Sequence, residues 1–174
     1  MKRLTLTLAL SLAPLFVAGC STCCRAADAP ETTPAATSVE FVELLHTAST
    51  RVTEAGGRTI DDPVAFAALW EECASATVPR RALPRVDWSK QRVLCVASGA
   101  RPSAGYGVRI EHVERRGPFD DSPDELTVFY VETAPNASAS VATVVTYPVH
   151  VVAIPRFEAP VRYVTDATGR FVAR

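Results

Sequence analysis

The stretch that most constrains this chain is residues 91–97, where Val93, Leu94, Cys95, Val96 and Ala97 follow one another without polar alternation. Successive side chains of a strand point to opposite faces. A strand that is apolar on both faces must therefore be covered on both sides. A central strand of this kind obliges the remainder of the sequence to supply a layer above it and a layer below.

One covering layer is legible as a helix. Asp62-Pro63 opens it: Asp caps unpaired amides, and proline suits the first helical position because its missing N–H is not needed there. Phe66, Leu69, Trp70 and Cys73 then recur at i, i+3, i+4 and i+7 and form one apolar stripe, which reads as a core face. The other segments favour strands and loops, in keeping with 13 prolines and many β-branched residues. Residues 39–45 predict a first strand. Glu54-Ala55-Gly56-Gly57 is a turn signal, and 58–60 a short second strand. In 106–113, Tyr106, Val108 and Ile110 alternate with Arg109 and Glu111. Residues 126–133 form the next strand, and 141–154 a long β-prone run that Pro148 interrupts. Residues 161–165 and 170–172 flank Asp166-Ala167-Thr168-Gly169 as a terminal hairpin. Arg80, Arg81 and Arg85 read as a solvated patch, and 120–125 as a solvated acidic loop. The expected fold class is α+β, a mainly antiparallel sheet with one N-terminal-side amphipathic helix packed on it.

The N-terminal region carries an address. Lys2 and Arg3 precede an apolar run from 4 to 17, the pattern of a secretory signal. Its ending, Val17-Ala18-Gly19-Cys20, resembles the bacterial lipobox. That resemblance implies lipidation of the Cys20 sulfur and cleavage just before it. Residues 1–19 are then a removable signal peptide. Residues 20–38, rich in Ala, Thr and Pro, form a flexible tether, and 39–174 a single domain. Ser21 rather than Asp after the cysteine leans toward the outer membrane in a two-membrane bacterium, and the cell membrane otherwise. The N-terminal lipid is the expected membrane contact.

Five cysteines are present. With Cys20 carrying lipid and Cys23 and Cys24 in the tether, Cys73 and Cys95 are the natural disulfide pairing in an oxidising compartment. Two buried thiols acting as small apolar residues are the alternative.

Several function classes lack support. A net charge of −1 provides no electrostatic footprint for nucleic acid. His46, His112 and His150 form no metal-ligand spacing, so neither metal nor any other cofactor is expected. No G-x-S-x-G elbow, P-loop or G-x-G-x-x-G occurs in the sequence. The expectation is a protein without catalytic residues.

One motif is specific. Gly99-Ala100-Arg101-Pro102-Ser103-Ala104-Gly105-Tyr106 lies between the central strand and the alternating strand. It resembles the C-terminal domain of the PrcB family, named for a small lipoprotein subunit of a bacterial surface protease complex. Ala68-Leu69-Trp70, Val86-Asp87-Trp88 and Thr146-Tyr147-Pro148 followed by Val151-Val152-Ala153-Ile154-Pro155 agree in order, so the resemblance covers roughly 39–156. Ala104 stands where relatives usually have a second glycine, and Val149 where many have an aromatic. The resemblance implies a protein-binding or protease-accessory module. Arg101, Pro102, Ser103, Gly105 and Tyr106 make the candidate binding loop. Arg101 offers a forked donor to a carboxylate or peptide carbonyl, and Tyr106 a flat face with a hydroxyl. Against this stands a purely structural loop in which Arg101 pairs with an internal acid. Two alternatives to protein binding are a hydrolase of envelope polymers and a small-ligand scaffold built on the same loop.

Overall fold

The structure, a computed structural model, describes residues 36–74, 76, 79–117 and 123–165. The expected signal peptide, Cys20, Cys23, Cys24, most of the expected tether and the strand expected at 170–172 lie outside them. Among the described residues there are eight strands and one helix in the order β1 (Thr37–Val39), β2 (Val42–Thr47), β3 (Gly56–Ile60), α1 (Pro63–Ala74), β4 (Gln91–Ala97), β5 (Gly107–Arg116), β6 (Glu125–Thr133), β7 (Val149–Pro155) and β8 (Val161–Thr165). The fold is α+β and dominated by its sheets, as expected.

The strands form two sheets rather than one. The first has the order β2-β7-β4-β3 and the second β1-β5-β6-β8. All pairings are antiparallel except β6 with β8, which run parallel. Among the described residues, 161–165 pair in parallel with β6 at the edge of the second sheet, and the second arm of the expected hairpin lies outside them. Residues 37–38, read from composition as tether, already pair with Arg115 and Glu114 of β5.

The two-faced strand explains the layering. On β4, Val93, Cys95 and Ala97 face a core shared with Phe66, Leu69, Trp70 and Cys73 of α1. Leu94 and Val96 face the other way, into a core with Val108, Ile110, Val113, Leu126 and Val128 of the second sheet. Strand β7 repeats this division: Val149 and Val151 lie toward the helix, Val152 and Ile154 toward the second sheet. The first sheet is therefore the middle layer, with α1 on one face and the second sheet on the other. The helix starts as its cap predicts: Asp62 Oδ1 accepts the N–H groups of Val64 and Ala65, both at 2.9 Å. Its Trp70 indole N–H donates to the Arg81 carbonyl at 3.2 Å, tying the loop after α1 to the core.

Cys73 and Cys95 both lie in the helix-facing core, and the structure has them as free thiols. Burial pushes each up to about 12, so both are neutral and act as small apolar residues.

Candidate functional site

Strand β4 hands directly into the loop singled out above. Ser98 N–H donates to the Pro148 carbonyl at 3.0 Å, and the chain then bends at Gly99, whose φ is +72°. That left-handed conformation favours glycine. Space is short there as well, since a Cβ would sit 3.1 Å from the Thr53 carbonyl oxygen. Gly105, with φ +89°, makes the second bend, where a Cβ would approach the Pro135 side chain to 2.9 Å. The two glycines of the motif are thus its two corners.

Between the corners the loop is clamped to residues 142–146. Arg101 N–H donates to the Thr146 carbonyl at 2.8 Å, and Thr146 N–H to the Arg101 carbonyl at 2.9 Å, a single antiparallel bridge. The Thr146 hydroxyl donates to the Ser103 carbonyl at 3.0 Å, and Ala104 N–H to the Ala142 carbonyl at 2.9 Å. Ala104 is accommodated without a second glycine, its amide serving as one of these donors. The Arg101 guanidinium forms an ion pair with Glu132 at the end of β6 and lies 5.8 Å from the centre of the Tyr106 ring. Arg101 therefore has an internal acid for a partner. Pro102 and Gly105 are exposed, and Arg101, Ser103 and Tyr106 are half-buried. The five candidate residues form one ordered surface element.

A second feature escaped sequence reasoning. A cleft of about 500 Å³ is lined by Phe41, Glu43, Arg109, Ile110, Glu111, His112 and His150. His150 is 1% exposed, and both its ring nitrogens are engaged. Nδ1 accepts Ile110 N–H at 2.8 Å, and Nε2 lies 3.0 Å from Glu43 Oε2. His46 and His112 are exposed, the latter stacked on Phe129 with ring centres 4.4 Å apart. Among the described residues no group of His, Cys, Asp and Glu could hold a metal ion.

The histidine–carboxylate pair invites comparison with an acid–base dyad. A general base needs a free lone pair, and the imidazole lone pair on Nδ1 is already taken by a backbone amide. The lining of the cleft contains no serine, threonine or cysteine to act as a nucleophile. The lining therefore offers the hydrolase alternative no serine, threonine or cysteine nucleophile and no free lone pair on His150. Sequence signals for the cleft were weak because its residues come from β2, β5, β7 and Phe41 just ahead of β2. Glu43 and His150 stand 107 positions apart.

Residues 92–155 match a family model described as PrcB C-terminal. The match runs from β4 to the end of β7. It takes in the clamped loop, the 134–147 segment that holds it, and the β5 and β7 sides of the cleft. No curated protein and no solved structure matches the chain.

Proposed function

From a PrcB C-terminal match that spans β4 to β7, we propose that this protein is an envelope-anchored lipoprotein whose domain binds a protein partner and carries out no chemistry of its own. The family suggests association with a protease complex, and the domain serves as an accessory module beside a protease. Lipid on Cys20 and the tether that precedes β1 would hold the domain near the membrane surface. A single acyl chain anchors weakly, so the full set of lipoprotein chains is required for stable attachment.

The observation that carries the binding role is the prior ordering of the 99–106 loop. A loop that is mobile before binding must lose conformational freedom when it docks, which subtracts from affinity. Here two glycine corners and four hydrogen bonds with Thr146 and Ala142 set the loop in advance. The Arg101–Glu132 pair is half-exposed, so it contributes little to stability and is available to a partner's own charges.

The test is affinity capture of intact lipidated protein from crosslinked envelopes, with mass spectrometry of its N-terminus in the same sample. The expected result is an N-terminus at lipid-bearing Cys20 and specific recovery of an envelope protease. Arg101→Ala should lose that recovery while the melting temperature stays within a few degrees. Recovery of lipidation machinery alone would refute the binding role, and a bare thiol at Cys20 would refute the anchor.

A further inference from the structure

His150 projects from β7 into the core between the two sheets. A backbone amide has only a proton to offer, so the bond from Ile110 N–H identifies Nδ1 as the bare nitrogen. The single proton of the neutral ring is then on Nε2 and is donated to Glu43 Oε2. Ile110 adjoins the irregularity between Ile110 and His112, where the register of β5 on β6 shifts. Its amide turns to the imidazole of the facing sheet. One side chain thus links β7 to β2 of its own sheet and to β5 of the opposite sheet.

We propose that His150 is a proton-operated latch between the two sheets: a second proton, on Nδ1, sets two donors against each other, breaks the bond to Ile110 and releases β5 from β7 along the cleft lined by Phe41, Glu43 and Arg109. Every element packed around the ring bears on the event. From β2, the Glu43 carboxylate favours the charged ring, and the His46 ring, 4.8 Å away centre to centre, opposes it. From β5, Arg109 opposes it, and Glu111 and His112 line the same cleft. From β4 the register neighbour is Val96, which has no charge, and the Phe41 ring lies edge-on at 6.4 Å. Burial is the largest influence and holds His150 below the ordinary histidine value of 6.5. The latch is therefore closed at neutral pH and opens on acidification.

The experiment is nitrogen-15 NMR on the labelled full-length protein in detergent, titrated downward from pH 7.5. The expected starting state is the Nε2–H tautomer, with a nitrogen–nitrogen coupling across the bond between Ile110 N and His150 Nδ1. As the pH falls, that coupling should vanish and the Ile110 amide resonance should move with the His150 midpoint, below 6.5, while amides in α1 stay in place. An Nδ1–H tautomer at pH 7.5, a missing coupling there, or a His150 titration that leaves the Ile110 amide unmoved would overturn the proposal. Simultaneous loss of all amide signals would also overturn it, because that is global unfolding. Glu43 is exposed, so Glu43→Gln keeps the fold and removes the charge favouring protonation; the midpoint should shift to lower pH. An unmoved or raised midpoint counts against the latch. None of these readouts depends on a protein partner.

Discussion

Arg92 is 8% exposed and satisfies more than its own charge. Its Nε and Nη2 meet the two carboxylate oxygens of Asp61 at 2.8 and 2.7 Å, and Nη1 meets the carbonyls of Phe157 and Ala159 at 2.8 and 3.0 Å. It ties the turn before α1 to the segment before β8. Arg92→Ala strands two carbonyls and leaves Asp61 to water, which reaches it because that side chain is 41% exposed. The expected cost is about 2–3 kcal/mol, read as a lowered midpoint in urea unfolding with the slope unchanged. Gly57 makes the opposite demand, for absence. A Cβ there would sit 2.1 Å from the Tyr163 ring, whose hydroxyl is 2.9 Å from Thr59 Oγ1. That ring crosses from β8 to β3 and joins the ends of the two sheets. Gly57→Ala should cost roughly 1–3 kcal/mol by overpacking, seen as a fall in melting temperature. The double variant Gly57→Ala with Tyr163→Ala should recover part of the Gly57→Ala penalty relative to Tyr163→Ala alone, since the clash is then gone.

At the scale of elements, the helix and the central strand were readable because their signals are local. Asp62, Pro63 and the i, i+3, i+4, i+7 stripe lie within one short segment, and the cap bonds are where that pattern puts them. Asp62→Ala should therefore destabilise the protein by about 1 kcal/mol, measurable as a small shift in the unfolding midpoint. Residues 141–154 read as a long β-prone run interrupted at Pro148, and only Val149–Pro155, beyond that proline, is a strand. Pro148 has no N–H for a ladder, and its carbonyl instead receives Ser98 N–H. The stretch before it is drawn aside to clamp the 99–106 loop. β-propensity alone does not reveal that its hydrogen bonds go to a loop. The pairing of β8 was also hidden. A parallel partner 35 residues earlier, as in Leu126 opposite Val161, leaves no trace in local alternation.

For the whole molecule, the two central strands of the middle sheet, β4 and β7, are shielded from water, and His150 is the histidine buried among them. Its proton affinity is lowered in the folded state relative to the unfolded chain. Between the two values the unfolded chain binds more protons, so stability rises with pH there. The contribution is complete above about pH 6.5 and is lost as pH falls through the lowered folded-state value. Melting temperatures measured from pH 7.5 down to 5 should fall across this window. A flat profile would show that His150 is not buried neutral. A similar fall at more acidic pH belongs to Asp124, which its hydrogen bonds with Arg115 hold below the usual carboxylate range.

Local pattern was sufficient to establish a two-faced strand, a capped helix and an α+β class. Each depends on interactions within a few residues: side-chain alternation and an Asp oxygen reaching two amides. The loop's motif also pointed to the PrcB family before any contact was known. Only the tertiary structure decided that the strands divide into two sheets, that Arg101 is paired with Glu132, and that His150 bridges Glu43 to the Ile110 amide. Those outcomes depend on residues tens of positions apart finding one another. The competition among polar groups for buried partners is resolved only when the layers close.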